Sequence, residues 1–229
     1  MNYLLALTKF FLRKNRILVL GDSHAEIFKN LQFDVSFKKY KFSICSVPGA
    51  TISGLSNPNS ITQALPIFRK RYKDVNPDIT IFQLGEVDAG FVIWYRHEKY
   101  GISVDELLVK TIDNYQNLVL GSLGKMNTII ISAPLPTIKS EQSWGEVANL
   151  RKEIKTGQKE RSLLTLRFNK LMSDWATTHD IFFLDLDPDS LASDGLVSEY
   201  LVHSDPYDHH YDPEAYAQLI KRHLLGVIN

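Results

Sequence analysis

The chain alternates short apolar runs with amphipathic stretches, and this alternation constrains its fold more than any other feature. The runs are rich in β-branched residues and bounded by Gly, Pro or Asp, as strands buried on both faces tend to be. They predict about five strands, at residues 16–20, 42–47, 79–84, 128–132 and 181–184. Strands that alternate with helices predict an α/β fold, a parallel sheet with helices on both faces. Right-handed crossovers then make it doubly wound, with three layers.

Helices are predicted from capping residues and from apolar repeats. Ser103 and Glu106 have capping-box spacing and open a predicted helix. Asp212 followed by Pro213 predicts the start of the last helix, with Asp as the N-cap and Pro at the first helical position. Two segments carry apolar residues at helical spacing: Leu107, Leu108, Ile112, Tyr115 and Val119 in one, and Leu164, Phe168, Leu171 and Trp175 in the other.

Charge and cysteine content exclude several classes of function. Lys+Arg and Asp+Glu each number 26, so the formal net charge is zero. A balanced chain offers no electrostatic footprint for nucleic acid. The single cysteine, Cys45, excludes a disulfide framework and a cysteine-based zinc site. We expect no cofactor.

One domain is expected over residues 16–229, preceded by a helical extension over residues 1–15. The apolar stretch of the extension is about ten residues long, too short to span a bilayer. It lacks the basic region and cleavage site of a signal peptide, so a cytoplasmic location is expected. Its leucines and phenylalanines, followed by Arg13, Lys14 and Arg16, predict an amphipathic helix. This helix either packs on the domain or contacts a membrane surface or a partner.

The residues that follow each strand are the candidates for function, because active sites of open α/β sheets form at the carboxyl ends of the strands. The first strand runs into Gly-Asp-Ser-His at positions 21–24, and a helix is expected to begin near Ala25. Ser23 in such a turn presents its hydroxyl above the unpaired N–H groups of the helix, which favour a developing oxyanion. A serine there is also a common helix cap, so the turn alone leaves both roles open.

The run ILVLGDSH resembles the first block of the SGNH (GDSL-like) hydrolase family, whose nucleophilic serine lies in a GDS motif near the N-terminus. The resemblance implies a flavodoxin-like fold and makes Ser23 the nucleophile. The second block of the family is a glycine that joins the oxyanion hole through its backbone N–H. Gly49, in the turn that follows the second predicted strand, matches it.

The last block of the family, Asp-x-x-His before a helix, is similar to DHHYDPEAY at positions 208–216. Alignment on the helix start makes His210 the catalytic histidine. The acid of the family then falls on Tyr207, so Asp208 is the nearest carboxylate and the predicted third member of the triad. Asp205 is the alternative acid and His209 the alternative base. A serine needs such an imidazole to take its proton, and a carboxylate to orient the ring.

The third block of the family, Gly-x-Asn-Asp, corresponds to Gly85-Glu86-Val87-Asp88. Val87 replaces the asparagine that would donate to the oxyanion, and one lost donor is worth roughly 3 kcal/mol. Glu86 would repel an oxyanion unless a cation pairs with it, and Arg96 is the candidate cation. With Gly49, the residues Glu86, Asp88 and Arg96 form the predicted oxyanion and substrate-binding set.

The resemblance implies a serine esterase that removes a small acyl group from a carbohydrate or related metabolite. Acetyl is the first candidate for that acyl group. Two alternatives remain open: a sugar O-acyltransferase, and a non-catalytic glycan-binding protein that kept the fold. Residues 51–60 and 134–157 are predicted substrate loops; the second carries Trp144, Arg151 and Lys155, and Trp144 serves equally well as a core anchor. No metal is expected at the acidic and histidine cluster near residue 210, because adjacent histidines rarely face one ion. The sequence leaves the oligomeric state open.

Overall fold

The computed structural model describes residues 15–123, 127–138 and 154–228. The strands are β1 (Asn15–Gly21), β2 (Tyr40–Ser46), β3 (Ile79–Gln83), β4 (Thr128–Ile131) and β5 (Phe182–Leu184). They form one parallel sheet in the order β2-β1-β3-β4-β5. All five predicted strands are confirmed, with their ends shifted by at most two residues.

Helices connect the strands and cover the sheet. They are α1 (Phe28–Leu31), α2 (Ile52–Leu55), α3 (Ala64–Val75), α4 (Ile93–Tyr100), α5 (Val104–Leu118), α6 (Gln158–Thr178), α7 (Asp187–Ser190) and α8 (Pro213–Ile228). Short 3-10 turns lie at Ser23–Ile27, Val35–Phe37 and Glu199–Leu201, and π turns at Asp88–Val92 and Val119–Leu123. None of the described helices is both long and apolar enough to cross a bilayer.

The predicted helix starts are confirmed by their caps. Ser103 Oγ accepts a hydrogen bond from the N–H of Glu106 at 3.1 Å, and Asp212 Oδ1 accepts from the N–H of Ala215 at 2.9 Å. The predicted apolar stripe of α6 is wrong at one position, because Leu171 is 37% exposed. Met172 is buried instead, since the buried face of α6 follows a spacing of four residues.

The hydrophobic core lies on both faces of the sheet. Along β1, Leu18 and Leu20 point to one face, while Ile17 and Val19 point to the other, as the period of two in a strand requires. Helices α2 to α6 cover the first face, and α1 and α8 cover the second. The predicted doubly wound, three-layered α/β architecture is therefore confirmed.

The strand order leaves a crevice at the carboxyl ends of β1 and β3. In a flavodoxin-like strand order, the chain that follows β1 crosses one face of the sheet and the chain that follows β3 crosses the other. Ligands of such sheets bind between the two strands at which the direction of the connections changes. Ser23 follows β1 directly at this crevice. Residues 1–14 of the predicted extension, with Trp144 and Arg151 of the second predicted loop, lie outside the described residues.

Candidate active site

The turn that carries Ser23 is fixed by the buried residue before it. Asp22 Oδ1 accepts a hydrogen bond from the N–H of His24 at 2.9 Å, which caps the 3-10 turn. The carbonyl of Asp22 accepts from Ser46 Oγ at 2.9 Å, at the end of β2. The cap and the neighbouring strand therefore hold the serine in one orientation.

Ser23, His210 and Asp208 form a continuous chain of hydrogen bonds. Ser23 Oγ lies 2.9 Å from His210 Nε2, and His210 Nδ1 lies 2.6 Å from Asp208 Oδ1. A carboxylate only accepts hydrogen bonds, so the ring carries its proton on Nδ1 and Nε2 accepts from the serine hydroxyl. This is the arrangement in which an imidazole can take a proton from a serine.

The environment of His210 favours the neutral ring. Burial lowers the pKa of His210 and the charge of His24 lowers it further, against the opposing effects of Asp208 and Glu86. Partial burial raises the pKa of Asp208, but hydrogen bonds from the backbone and ring of His210 outweigh it and bring that pKa below its usual value. A neutral imidazole beside an ionised carboxylate suits a general base.

The alternative acid and base take other roles in this loop. Asp205 is exposed and its Oδ1 accepts from the N–H of Tyr207 at 2.9 Å, a local turn contact. The ring of His209 lies against that of His210, tilted by 35° with centroids 4.1 Å apart. The carbonyl of His209 accepts from Thr137 Oγ1 at 2.6 Å, which ties the loop to the segment after β4.

The two predicted oxyanion donors, the N–H groups of Ser23 and Gly49, lie in the turns that follow β1 and β2. The N–H of Ser23 is the first of its 3-10 turn, and the first N–H groups of a helical segment have no partner within it. Gly49 lies in an exposed turn closed by the bond from Ala50 N–H to the carbonyl of Val47 at 3.0 Å. Val87 is buried at the end of β3 and supplies no donor, as its aliphatic side chain dictates.

Asp88 does not line the site, contrary to the sequence-based prediction. It is fully buried, and its carboxylate accepts from the N–H of Ile52 at 2.7 Å and from Ser53 Oγ at 2.6 Å. Burial raises the pKa of Asp88 to about 6, against these hydrogen bonds. Asp88 therefore anchors the start of α2, the helix that follows the Gly49 turn.

The predicted pairing of Glu86 with Arg96 stays a prediction. Glu86 is buried beneath the site, where its charge raises the pKa of His210. Arg96 lies half-buried on α4, one helical turn beyond the π turn that follows β3.

Comparisons with solved structures find the same architecture in ester hydrolases. A GDSL-like lipase from Bacteroides thetaiotaomicron is similar over 93% of this chain and 88% of its own, with a TM-score of 0.59 and 18% identity. A carbohydrate acetylesterase from Sinorhizobium meliloti is similar over 90% of this chain and 94% of its own, with a TM-score of 0.54 and 12% identity. The protein has the SGNH hydrolase fold. No family model and no curated protein matches the sequence.

His24 is the site residue that the sequence analysis missed. Within this SGNH fold it is buried, with its Nδ1 3.1 Å from Asp22 Oδ1 and its ring centroid 4.7 Å from that of His210. The only signal was a histidine directly after the GDS motif. A histidine there is as compatible with an exposed helix start as with a buried contact.

The loop before α8 also brings together possible metal ligands. Asp208, His209 and His210 carry ligand atoms within 4.8 Å of one another. The hydrogen bonds from His210 to Asp208 and Ser23 already use both ring nitrogens of the histidine. A metal bound by His210 would therefore have to displace its contact with Asp208 or its contact with Ser23, and the expectation of no metal stays a prediction.

Proposed function

We propose that this chain is a serine ester hydrolase in which Ser23 is the nucleophile, His210 the general base and Asp208 the residue that orients His210. The observation that carries the proposal is the hydrogen-bond chain from Ser23 Oγ through His210 to Asp208, at 2.9 and 2.6 Å. Its position at the crevice of an SGNH fold adds support, because ligands of such sheets bind there.

The reaction follows from these positions. Ser23 Oγ attacks the acyl carbon while its proton passes to His210 Nε2, and the carbonyl oxygen becomes an oxyanion that the N–H groups of Ser23 and Gly49 stabilise. His210 then gives that proton to the leaving alkoxide, and the alcohol departs. Water attacks the acyl-enzyme, passes a proton through His210 back to Ser23 Oγ, and releases the carboxylic acid.

The proposed substrate is an ester of a carbohydrate or related metabolite with a small acyl group. Acetyl is the first candidate for that acyl group. The carbohydrate acetylesterase of similar fold supports this class. If a sugar hydroxyl replaced water in the second half-reaction, the same residues would perform acyl transfer. If Val87 has removed too much oxyanion stabilisation, the chain would bind without turnover.

Labelling of Ser23 tests the proposal directly. We expect a fluorophosphonate probe to label the wild-type chain and not Ser23→Ala, because only an activated serine reacts. We also expect Ser23→Ala to lower kcat/KM for acetate release from a small acetate ester by at least about a thousand-fold. Ser193→Ala, an exposed serine far along the chain, is the matched control and should react like the wild type.

Three results would count against the proposal or refine it. An unlabelled wild-type chain without acetate release would favour the non-catalytic alternative. Equal labelling of Ser23→Ala and the wild type would assign the nucleophile elsewhere. Acetate release that gives way to an acetylated product when a sugar acceptor is added would favour the transferase.

A further inference from the structure

A cleft opens beside the triad on the side of His210. It has a volume of about 370 Å³ and lies between the segment from Ser23 to Asn30 and the segment from His203 to Tyr216. Ser23 and His210 both line it, so a group in the cleft lies next to the reacting atoms. A cleft of this size is at the lower end of those that hold organic ligands, and it has room for a ring rather than for a methyl or ethyl group alone.

The position of the cleft determines which half of an ester it can hold. His210 must return its proton to the leaving oxygen, so the alcohol half extends from the acyl carbon toward the imidazole. The oxyanion points the other way, toward the N–H groups of Ser23 and Gly49. None of the described residues that line the cleft comes from the Gly49 turn. The cleft therefore lies on the alcohol side.

The lining indicates the chemistry of that alcohol. Ile27, Tyr211, Pro213 and Tyr216 supply apolar and aromatic surface, which suits the faces of a ring. The exposed Asn30 supplies an amide that makes no hydrogen bond to a described residue. Such an amide can reach an ether or hydroxyl oxygen.

Two carboxylates lie at the rim of the cleft. Glu26 pairs with Lys29, and Asp208 Oδ2 lies 3.8 Å from His203 Nε2. Carboxylates at the rim repel a phosphate or a carboxylate on the ligand, so the rim favours an uncharged alcohol.

We propose that this cleft is the subsite for the alcohol half of the ester and that it selects uncharged, ring-sized alcohols with polar oxygens. The inference rests on the proposed ester hydrolysis at Ser23 and deepens it. The substrate class is an ester whose alcohol carries a ring, held by Tyr211 and Pro213 and contacted at its edge by Asn30.

The test varies only the alcohol of an acetate ester. Ethyl acetate and tetrahydropyran-2-ylmethyl acetate are both esters of primary alcohols, so leaving-group reactivity is closely matched while the ring is added. We expect kcat/KM for the ring ester to exceed that for ethyl acetate by about ten-fold or more, since burying several carbons in an apolar site is worth at least that factor.

The variant Asn30→Trp fills the cleft from its exposed rim, where the fold tolerates a larger side chain. We expect it to reduce the ratio of kcat/KM for the ring ester over the ethyl ester by about ten-fold. Asn117→Trp, an exposed asparagine on α5 at the other face of the sheet, is the matched control and should leave the ratio unchanged.

The outcomes separate this inference from the proposed function. If the wild type is labelled at Ser23 and hydrolyses both esters without preference, or if Asn30→Trp leaves the ratio unchanged, the subsite assignment is wrong and the hydrolase assignment stands. If the wild type is neither labelled nor active on any ester, both assignments are wrong. A preference for an anionic alcohol, such as glycolate, would overturn the uncharged class.

Discussion

His210 lies between groups that act on its pKa in opposite directions. Asp208 and Glu86 raise the pKa of His210 through their charges, whereas burial and the charge of His24 lower it. His24 is itself held by Asp22, with 3.1 Å between His24 Nδ1 and Asp22 Oδ1. His24, which follows Ser23, therefore acts through its charge on His210, the proposed base.

Replacement of His24 should move the pH profile. In His24→Asn the charge that lowers the pKa of His210 is gone, while the amide can still donate to Asp22, so the pKa of His210 rises. The base works in its neutral form, and we expect the acid limb of the profile of kcat/KM against pH to shift to higher pH.

The matched control is His97→Asn, an exposed histidine on α4, which should leave the midpoint of that limb where it is. If both variants share the wild-type midpoint, His24 has no electrostatic influence on the base. A loss of activity at every pH without a shift would indicate a purely structural role.

Sequence motifs predicted some site residues and missed others for a physical reason. Ser23 and His210 were predicted because each lies in a short local pattern at a strand or helix end, and the structure brings the two side chains together. Asp88 was misassigned because its burial depends on contacts with residues 36 positions earlier in the chain. His24 was missed because its packing on His210 depends on contacts between the two ends of the chain.

At the level of secondary structure, the end of β3 is packed tightly against α6. Gly85 has a φ of +123°, and a Cβ at this position would lie 2.5 Å from the ring of Phe168. Only glycine fits both the backbone conformation and the space. The close packing of Gly85 on Phe168 fixes the position at which the segment with Glu86 and Val87 begins.

Alanine at position 85 should destabilise the fold through both effects. We expect Gly85→Ala to lower the free energy of unfolding by about 1–3 kcal/mol through overpacking alone, with strain added, as measured by urea unfolding. Gly101→Ala is the control, because Gly101 also has a positive φ, +67°, but has nothing within 4 Å of a Cβ.

The difference between the two variants isolates the contact with Phe168. If Gly85→Ala and Gly101→Ala lower the free energy of unfolding equally, backbone strain alone accounts for the effect and α6 moves away from the new Cβ without cost. A loss at Gly85 that disappears in the Phe168→Leu background would confirm the ring as the obstacle.

At the scale of the whole molecule, Asn169 and the half-buried carboxyl of Asp187 connect α6, α7 and the segment after β4 at one edge of the sheet. Asn169 on α6 exchanges hydrogen bonds with the backbone of Ala133 after β4, and its amide donates to Asp187 at the start of α7, 2.8 Å from Oδ1. Burial raises the pKa of Asp187 to about 7, helped by the charge of Asp185 and opposed by the bond from Asn169.

This carboxyl should make stability depend on pH. Because the pKa of Asp187 is about 7 in the folded protein and 3.8 for an unperturbed aspartate, as in an unfolded chain, the folded state holds the extra proton between these values. The stability that Asp187 contributes is therefore present at low pH and lost as the pH rises through about 7. In Asp187→Asn this loss is absent.

We expect the free energy of unfolding of Asp187→Asn, relative to the wild type, to increase between about pH 5 and about pH 8, as measured by urea unfolding. The control is Asp180→Asn, at an exposed position with a positive φ that asparagine also adopts. Its free energy of unfolding should change with pH in the same way as that of the wild type. A constant difference for Asp187→Asn across this range would show that residue 187 is ionised throughout.

The architecture was predictable to a larger extent than the site. Buried parallel strands and capped helices have recognisable local sequence patterns. The five strands, the layers and the caps at Ser103 and Asp212 could therefore be predicted from the sequence. The exposure of Leu171 depends on how α6 rotates against its neighbours, and a spacing of three or four residues does not determine that rotation. Long-range packing thus accounts for the errors in both the fold and the site.

The hydrogen bond between Ser23 and His210 joins residues 187 positions apart. During synthesis Ser23 therefore leaves the ribosome long before His210 has been translated. Under the proposed function, the Ser23 hydroxyl stays unreactive toward esters until the loop before α8 reaches it. A nascent or proteolytically shortened chain that lacks this loop and α8 would then carry Ser23 without its base.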